Sequence, residues 1–160
     1  MYQTGYYLTG YYQTGYYLGP HGIVAVPGKS YFALMAEARS LLGDADENDC
    51  PTRYPDAMLI NGLNRGLQEL ARIRPDAFYD LYANNSLNVP EVTDNVTDIT
   101  QVDWLREFQI DMKFWPALVY YVVGATQLSE DEYVRGDGRH PHGSMAAGSL
   151  RMFHRHALSL

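Results

Sequence analysis

Cysteine occurs once in the 160 residues, at Cys50. A single thiol excludes an internal disulfide and any multi-cysteine zinc module, and it suits a chain that matures in a reducing cytoplasm. Cationic residues are also scarce, 12 Lys and Arg against 19 Asp and Glu, for a net charge of −7. Such a subunit repels phosphates and does not grip them, so nucleic acid is not expected as its primary ligand. Long apolar runs are missing. The most apolar stretch, Trp115 to Ala125, is too short to span a bilayer, and no membrane partner is expected. The first residues have neither a basic region nor a continuous apolar one, so they do not read as a secretory signal. The length and the 46% apolar share fit one soluble globular domain with its own core.

Catalytic signatures are absent as well. The chain has no Gly-x-Ser-x-Gly elbow, no phosphate-binding glycine loop and no His-Glu-x-x-His, and Gly136-Asp137-Gly138 reads as a turn. Asp44-x-Asp46-x-Asn48 opens like a calcium loop. Asp49 and Pro55 then stand where that loop needs glycine and a bidentate glutamate, leaving a solvated acidic turn. His154 and His156, two apart on a predicted helix, point to different faces, and nothing near them or near His140 and His142 completes a tetrahedral set. No enzymatic activity, cofactor or metal is therefore expected.

What the chain does have is an opening repeat. Tyr-x-Thr-Gly-Tyr runs three times from Tyr2, with Gln3, Leu8 and Gln13 at the variable place, and a truncated copy follows at Tyr17-Leu18-Gly19. Seven of the fourteen tyrosines lie here. On a strand an odd period of five alternates faces, so the structural repeat is ten, and the more apolar face carries Tyr2, Thr4, Tyr6, Leu8, Tyr12, Thr14, Tyr16 and Leu18. As one strand, Tyr2 to Leu18 would stretch ~55 Å. It is expected either to break into a hairpin at a Thr-Gly step or to leave its own domain. A β-prone run, Ile23 to Val26, follows between turn residues.

Four helices are predicted after this arm (residues 1–29). The first starts from a Ser30 cap, carries Tyr31, Leu34, Met35, Ala38, Leu41 and Leu42 at helical spacing, and ends at Gly43. The second opens with Pro55 at its first position, buries Ile60, Leu63, Leu67 and Leu70, and stops before Pro75, with Arg72 and Arg74 near its C-terminus. Gly62 and Gly66, one turn apart inside it, each cost about 1 kcal/mol against alanine and imply a close helix neighbour. The long loop between these helices and the few cations on the second argue against a helix-turn-helix. A β-hairpin or extended insertion is expected at about 79–112. A third helix, apolar nearly all round, opens at Pro116, and a loop is expected from Ser129. The last helix places Ala146, Leu150, Phe153, Ala157 and Leu160 along one seam. The fold class is thus mainly α: a four-helix domain over residues 30–160 with a short β insertion, preceded by a Tyr-rich β-prone arm.

Two segments resemble a known family. "RYPDAMLINGLNRGLQELARIRPDAF", Arg53 to Phe78, is similar to the second helix of bacteriophage head-to-tail adaptor proteins, and "FWPALVYYVVGATQLSEDEYVRGDGR", Phe114 to Arg139, to their third. The resemblance covers roughly Tyr31 to Leu160. The tyrosine repeat has no counterpart in it, and the insertion is short against many relatives. The resemblance implies a virion protein without catalytic activity. It forms a homo-oligomeric ring, usually of twelve subunits, beneath the portal protein, with tail or tail-completion proteins docked below and DNA passing through the channel unbound. Its place would be the head–tail junction of the virion, after assembly in the host cytoplasm. Candidate intermolecular contacts are Tyr2, Tyr6, Tyr7, Leu8, Tyr11, Tyr12, Tyr16, Tyr17 and Leu18 of the arm, with Trp115, Tyr120 and Tyr121 of the third helix. In this setting the arm adds a strand to a neighbour. The alternative is a tyrosine platform for a glycan or cell-surface partner, carried on a small helical domain; a flexible low-complexity tail is the plainest account.

Overall fold

The computed structural model describes the backbone of residues 14–19, 22–27, 29–44, 53–83, 86–134 and 142–159, and the side chains of residues 29–44, 53–79, 81, 86–129 and 145–159. Strands β1 (Thr14–Gly19) and β2 (Gly22–Pro27) form an antiparallel pair. The end of the third repeat unit and the truncated copy thus pair with the Ile23–Val26 run. Leu18 lies opposite Ile23, Tyr17 opposite Val24 and Tyr16 opposite Ala25. Repeat residues before Thr14 lie outside the described residues.

Helix α1 (Tyr31–Leu42) begins and ends where its caps require. The Ser30 hydroxyl accepts from the Ala33 backbone N–H at 3.1 Å, and Gly43 adopts φ 67°, a left-handed conformation that most side chains resist. The next two free N–H groups of the helix are met from outside it. Tyr31 and Phe32 donate to the carbonyls of Arg106 and Trp104, while Phe108 donates to the Lys29 carbonyl at 2.6 Å. An extended segment late in the insertion therefore caps the first helix.

Helix α2 (Asp56–Ile73) takes Pro55 as its N-cap, so it begins one residue later than expected, and buries Ile60, Leu63, Leu67 and Leu70 as expected. Arg74 does not serve this helix alone. Its guanidinium pairs with Asp76 and donates to the Ala157 carbonyl at 3.0 Å, so it also caps the last helix.

The insertion contains a two-residue hairpin, β3 (Tyr82–Ala83) with β4 (Ser86–Leu87), and a parallel pair, β5 (Glu91–Thr93) with β6 (Gln101–Asp103). The parallel pair was not foreseen. It docks on α2 through the Asn64 amide, which donates to the Val92 carbonyl at 2.9 Å and accepts from the Val92 N–H at 2.8 Å. One side chain thereby replaces a neighbouring strand.

Helix α3 (Trp115–Val134) follows a 3-10 turn and runs through the segment expected to be a loop from Ser129. The Ser129 hydroxyl turns back to the Ala125 carbonyl at 3.0 Å, so it satisfies itself within the helix and does not start a turn. Helix α4 (His142–Leu158) buries Ala146, Phe153 and Ala157 of the predicted seam. Helices α1, α2 and α4 all pack on α3, whose Ala117, Leu118, Val119, Val122 and Val123 are buried. The architecture among the described residues is mainly helical, four α-helices with small strand pairs.

The two glycines of α2 have different reasons. A Cβ on Gly66 would lie 2.9 Å from the Tyr121 ring, so the bare backbone makes room for α3. A Cβ on Gly62 would meet Ala125 at 3.6 Å, an ordinary contact. Gly62→Ala is therefore expected to raise the unfolding free energy by up to ~1 kcal/mol. Gly66→Ala should lower it, because the clash outweighs the same helix-propensity gain. Urea titrations of the two variants check both signs.

Candidate functional site

Arg39 and Asp44 close the acidic loop. The Arg39 guanidinium reaches Asp44 at 2.5 Å, Asp56 at 2.6 Å and the Tyr54 carbonyl at 2.8 Å. Asp44 also accepts from the backbone N–H groups of Arg53 and Tyr54. The first acid of the calcium-like run is thus a clamp joining the loop's two ends, and both its oxygens are occupied. Its partners Asp46 and Asn48 lie outside the described residues. No group of three metal-ligating side chains occurs among the described residues, and no described helix is long and apolar enough to cross a membrane.

The aromatic contact candidates of α3 have intramolecular partners. The Trp115 indole N–H donates to Glu37 at 2.6 Å, and its ring meets Phe108 edge-on at 5.2 Å. Tyr120 stacks on His156, the ring centroids 5.5 Å apart. Tyr121 lies over Gly66 and meets Phe153 edge-on at 4.9 Å, bridging α2 and α4. All three are half-buried. Of the arm candidates, Tyr16, Tyr17 and Leu18 lie on β1; Tyr2, Tyr6, Tyr7, Leu8, Tyr11 and Tyr12 fall outside the described residues. Among the described residues this sheet has two strands, so the outer edge of each has no described strand paired with it.

Other surface features had no sequence signal. Between the exposed stripe of α2 and the insertion runs an open groove of about 900 Å³, lined by Arg65, Gln68, Arg72, Pro90 and Thr100 among others. Adjoining it toward α3, and sharing Asn61 and Arg65 with it, a depression of about 290 Å³ is lined also by Pro55, Met58, Gly62, Ala125 and Ser129. The β5–β6 connection, residues 94–100, carries Val96 half in solvent and Ile99 fully so. Periodicity cannot find such residues, since a loop has none.

Buried Tyr31 is the most perturbed titratable group described. Its hydroxyl has no well-formed hydrogen bond, and burial pushes it up to about 12, with the Gln109 backbone N–H offsetting only part of the effect. No family model, curated protein or solved structure matches this chain.

Two outcomes follow from these contacts. Arg39→Ala leaves Asp44 nearly buried beside no cation, and should cost about 3 kcal/mol in a chemical denaturation. For Tyr31 the folded value lies above that of an unfolded tyrosine, so its contribution is intact below pH 10 and is lost as the pH climbs through about 12. The loss approaches ~3 kcal/mol. Tyr31→Phe should flatten that alkaline decline while changing neutral-pH stability little; melts from pH 8 to 12 compare the two proteins.

Proposed function

We propose that this chain is a subunit of a bacteriophage head-to-tail adaptor ring, which joins the portal to the tail and continues the DNA channel. The observation that carries the proposal is the arrangement of the two segments bearing the resemblance. They form α2 and α3, adjoining helices seated on each other through Gly66 and Tyr121, and the strand insertion falls between them. A net charge of −7 further suits a channel through which DNA slides without sticking.

The amino-terminal hairpin is the assembly arm in this account. Two strands alone are marginal in water, and each outer edge is a template for another strand. Tyr16, Tyr17 and Leu18 on β1 are the described positions of that arm. A strand from the portal, the tail or a neighbouring subunit would complete the sheet.

The chain should be found in purified virions as a ring of about a dozen copies at the head–tail junction, the count following from the family resemblance alone. Its absence from particles by mass spectrometry would remove the proposal. Deleting Met1–Gly19 should leave the helical circular dichroism intact and yet block joining of heads to tails. Unchanged infectivity of that truncation would deny the arm any role in assembly.

A further inference from the structure

Helix α2 already holds one piece of extended chain by a side-chain amide. Asn64 donates to the Val92 carbonyl and accepts from the Val92 N–H, as a neighbouring strand would. Beside that contact the exposed stripe of α2 runs along the groove of about 900 Å³. The stripe is Asn61, Arg65, Gln68 and Arg72, at steps of four, three and four on one side of the helix. Amides alternate with guanidiniums, and no acid interrupts the series, although the chain as a whole carries a net charge of −7.

Three of the four side chains are uncommitted. Among the described residues Asn61, Arg65 and Gln68 make no side-chain hydrogen bond or ion pair. Arg72 is oriented by Glu69, to which its Nε donates at 3.1 Å and its Nη2 at 2.5 Å. Both N–H groups of Nη1 remain for another acceptor. Apolar Val89 and Pro90 wall the groove on the insertion side, and Tyr121 of α3 also lines it.

This chemistry selects an occupant. Side-chain amides pair with backbone N–H and C=O groups, which a helix has already used and an extended segment offers. Guanidiniums suit carboxylates, which they bind through charge-assisted hydrogen bonds. From Asn61 to Arg72 the stripe is ~16 Å long, the length of about five extended residues. Arg65 and Arg72 stand ~10 Å apart along the axis, which places two acids about three residues apart on the bound chain. Nucleic acid fits less well. Its backbone has no row of N–H and C=O groups, and Glu91 on the groove wall, with the net charge, repels a continuous polyanion.

We propose that the exposed stripe of α2 binds an extended acidic segment of a partner protein. Asn61 and Gln68 grip its backbone, and Arg65 and Arg72 take its carboxylates. The site goes beyond the adaptor-ring proposal and does not rest on it. Short labelled peptides of Ser and Gly, each with a pair of glutamates two, three or four residues apart, test it by fluorescence anisotropy with the full-length chain. At least one should bind saturably at low salt, and its Gln counterpart roughly tenfold more weakly. Arg65→Ala should weaken binding roughly tenfold and Gln68→Ala roughly threefold, both at exposed positions where the fold is untouched. Arg155→Glu, a larger charge change at an exposed position of α4, should leave binding as it was. The side-chain amide signals of Asn61 and Gln68 should shift in nitrogen–proton correlation spectra as peptide is added. The site is overturned if no peptide saturates, if the Gln peptide binds as well, or if the two amide signals stay still. Equal losses from Arg155→Glu and Arg65→Ala would overturn it too, by reducing the effect to net charge. Tighter binding of a short thymidine oligonucleotide would assign the stripe to nucleic acid and remove the peptide.

Discussion

Between Ala117 and Thr126 helix α3 is buried on more than one side, and its neighbouring helices are arranged to cover it. Leu118, Val119, Val122 and Val123 face inward in more than one direction, and a helix apolar around its circumference must be enclosed by several neighbours. Helices α1, α2 and α4 supply that enclosure. The fit depends on bare backbone at two points. Gly66 admits the Tyr121 ring from α3, and Gly124 on α3 admits Leu150 from α4, whose Cγ would lie 2.9 Å from any added Cβ. Larger residues at either point would push a neighbouring helix outward and loosen many dispersion contacts together.

The insertion is bound into this frame by polar contacts as well as by Val92, Val102, Trp104, Phe108 and Ile110, which are buried in the core. Asn64 grips both backbone groups of Val92, and the segment around Trp104 to Phe108 caps α1 and borders Lys29. Phe32 and Trp104 add an edge-on contact at 5.1 Å. These ties give the 94–100 loop a fixed base on one flank of α2. The Arg39 clamp does the same for the acidic loop between α1 and α2. Side chains with charge or amide groups thus decide where the irregular segments lie, because an irregular backbone cannot satisfy its own donors and acceptors.

Much of the helical frame was legible in the sequence. Ser30 and Gly43 bounded α1 to the residue, since capping is a local matter of one hydroxyl and one left-handed backbone. The heptad-like spacing in α2 named its buried face. Legibility failed where the deciding partner was distant. Ser129 is a local exception: it looked like the start of a loop, yet its hydroxyl bonds the Ala125 carbonyl one turn back in the same helix. The parallel β5–β6 pair was read as a hairpin or extended chain, since its register is held partly by Asn64, far away in sequence. Trp115, Tyr120 and Tyr121, expected as intermolecular contacts, stay half-buried while each also has a partner inside the chain.

By itself, the sequence determined the number of helices among the described residues, the ends of α1 and most of the buried faces, together with the repeat and the acidic charge. All of these follow from local backbone preference and from periodicity. Only the tertiary structure decided why Gly66 must be glycine while Gly62 need not be, and that Asp44 serves as a clamp. It alone set a fully exposed isoleucine on the β5–β6 connection and an open groove between the insertion and α2. Those outcomes depend on which elements come within a few ångströms of each other, and short-range forces act only after that packing has been made.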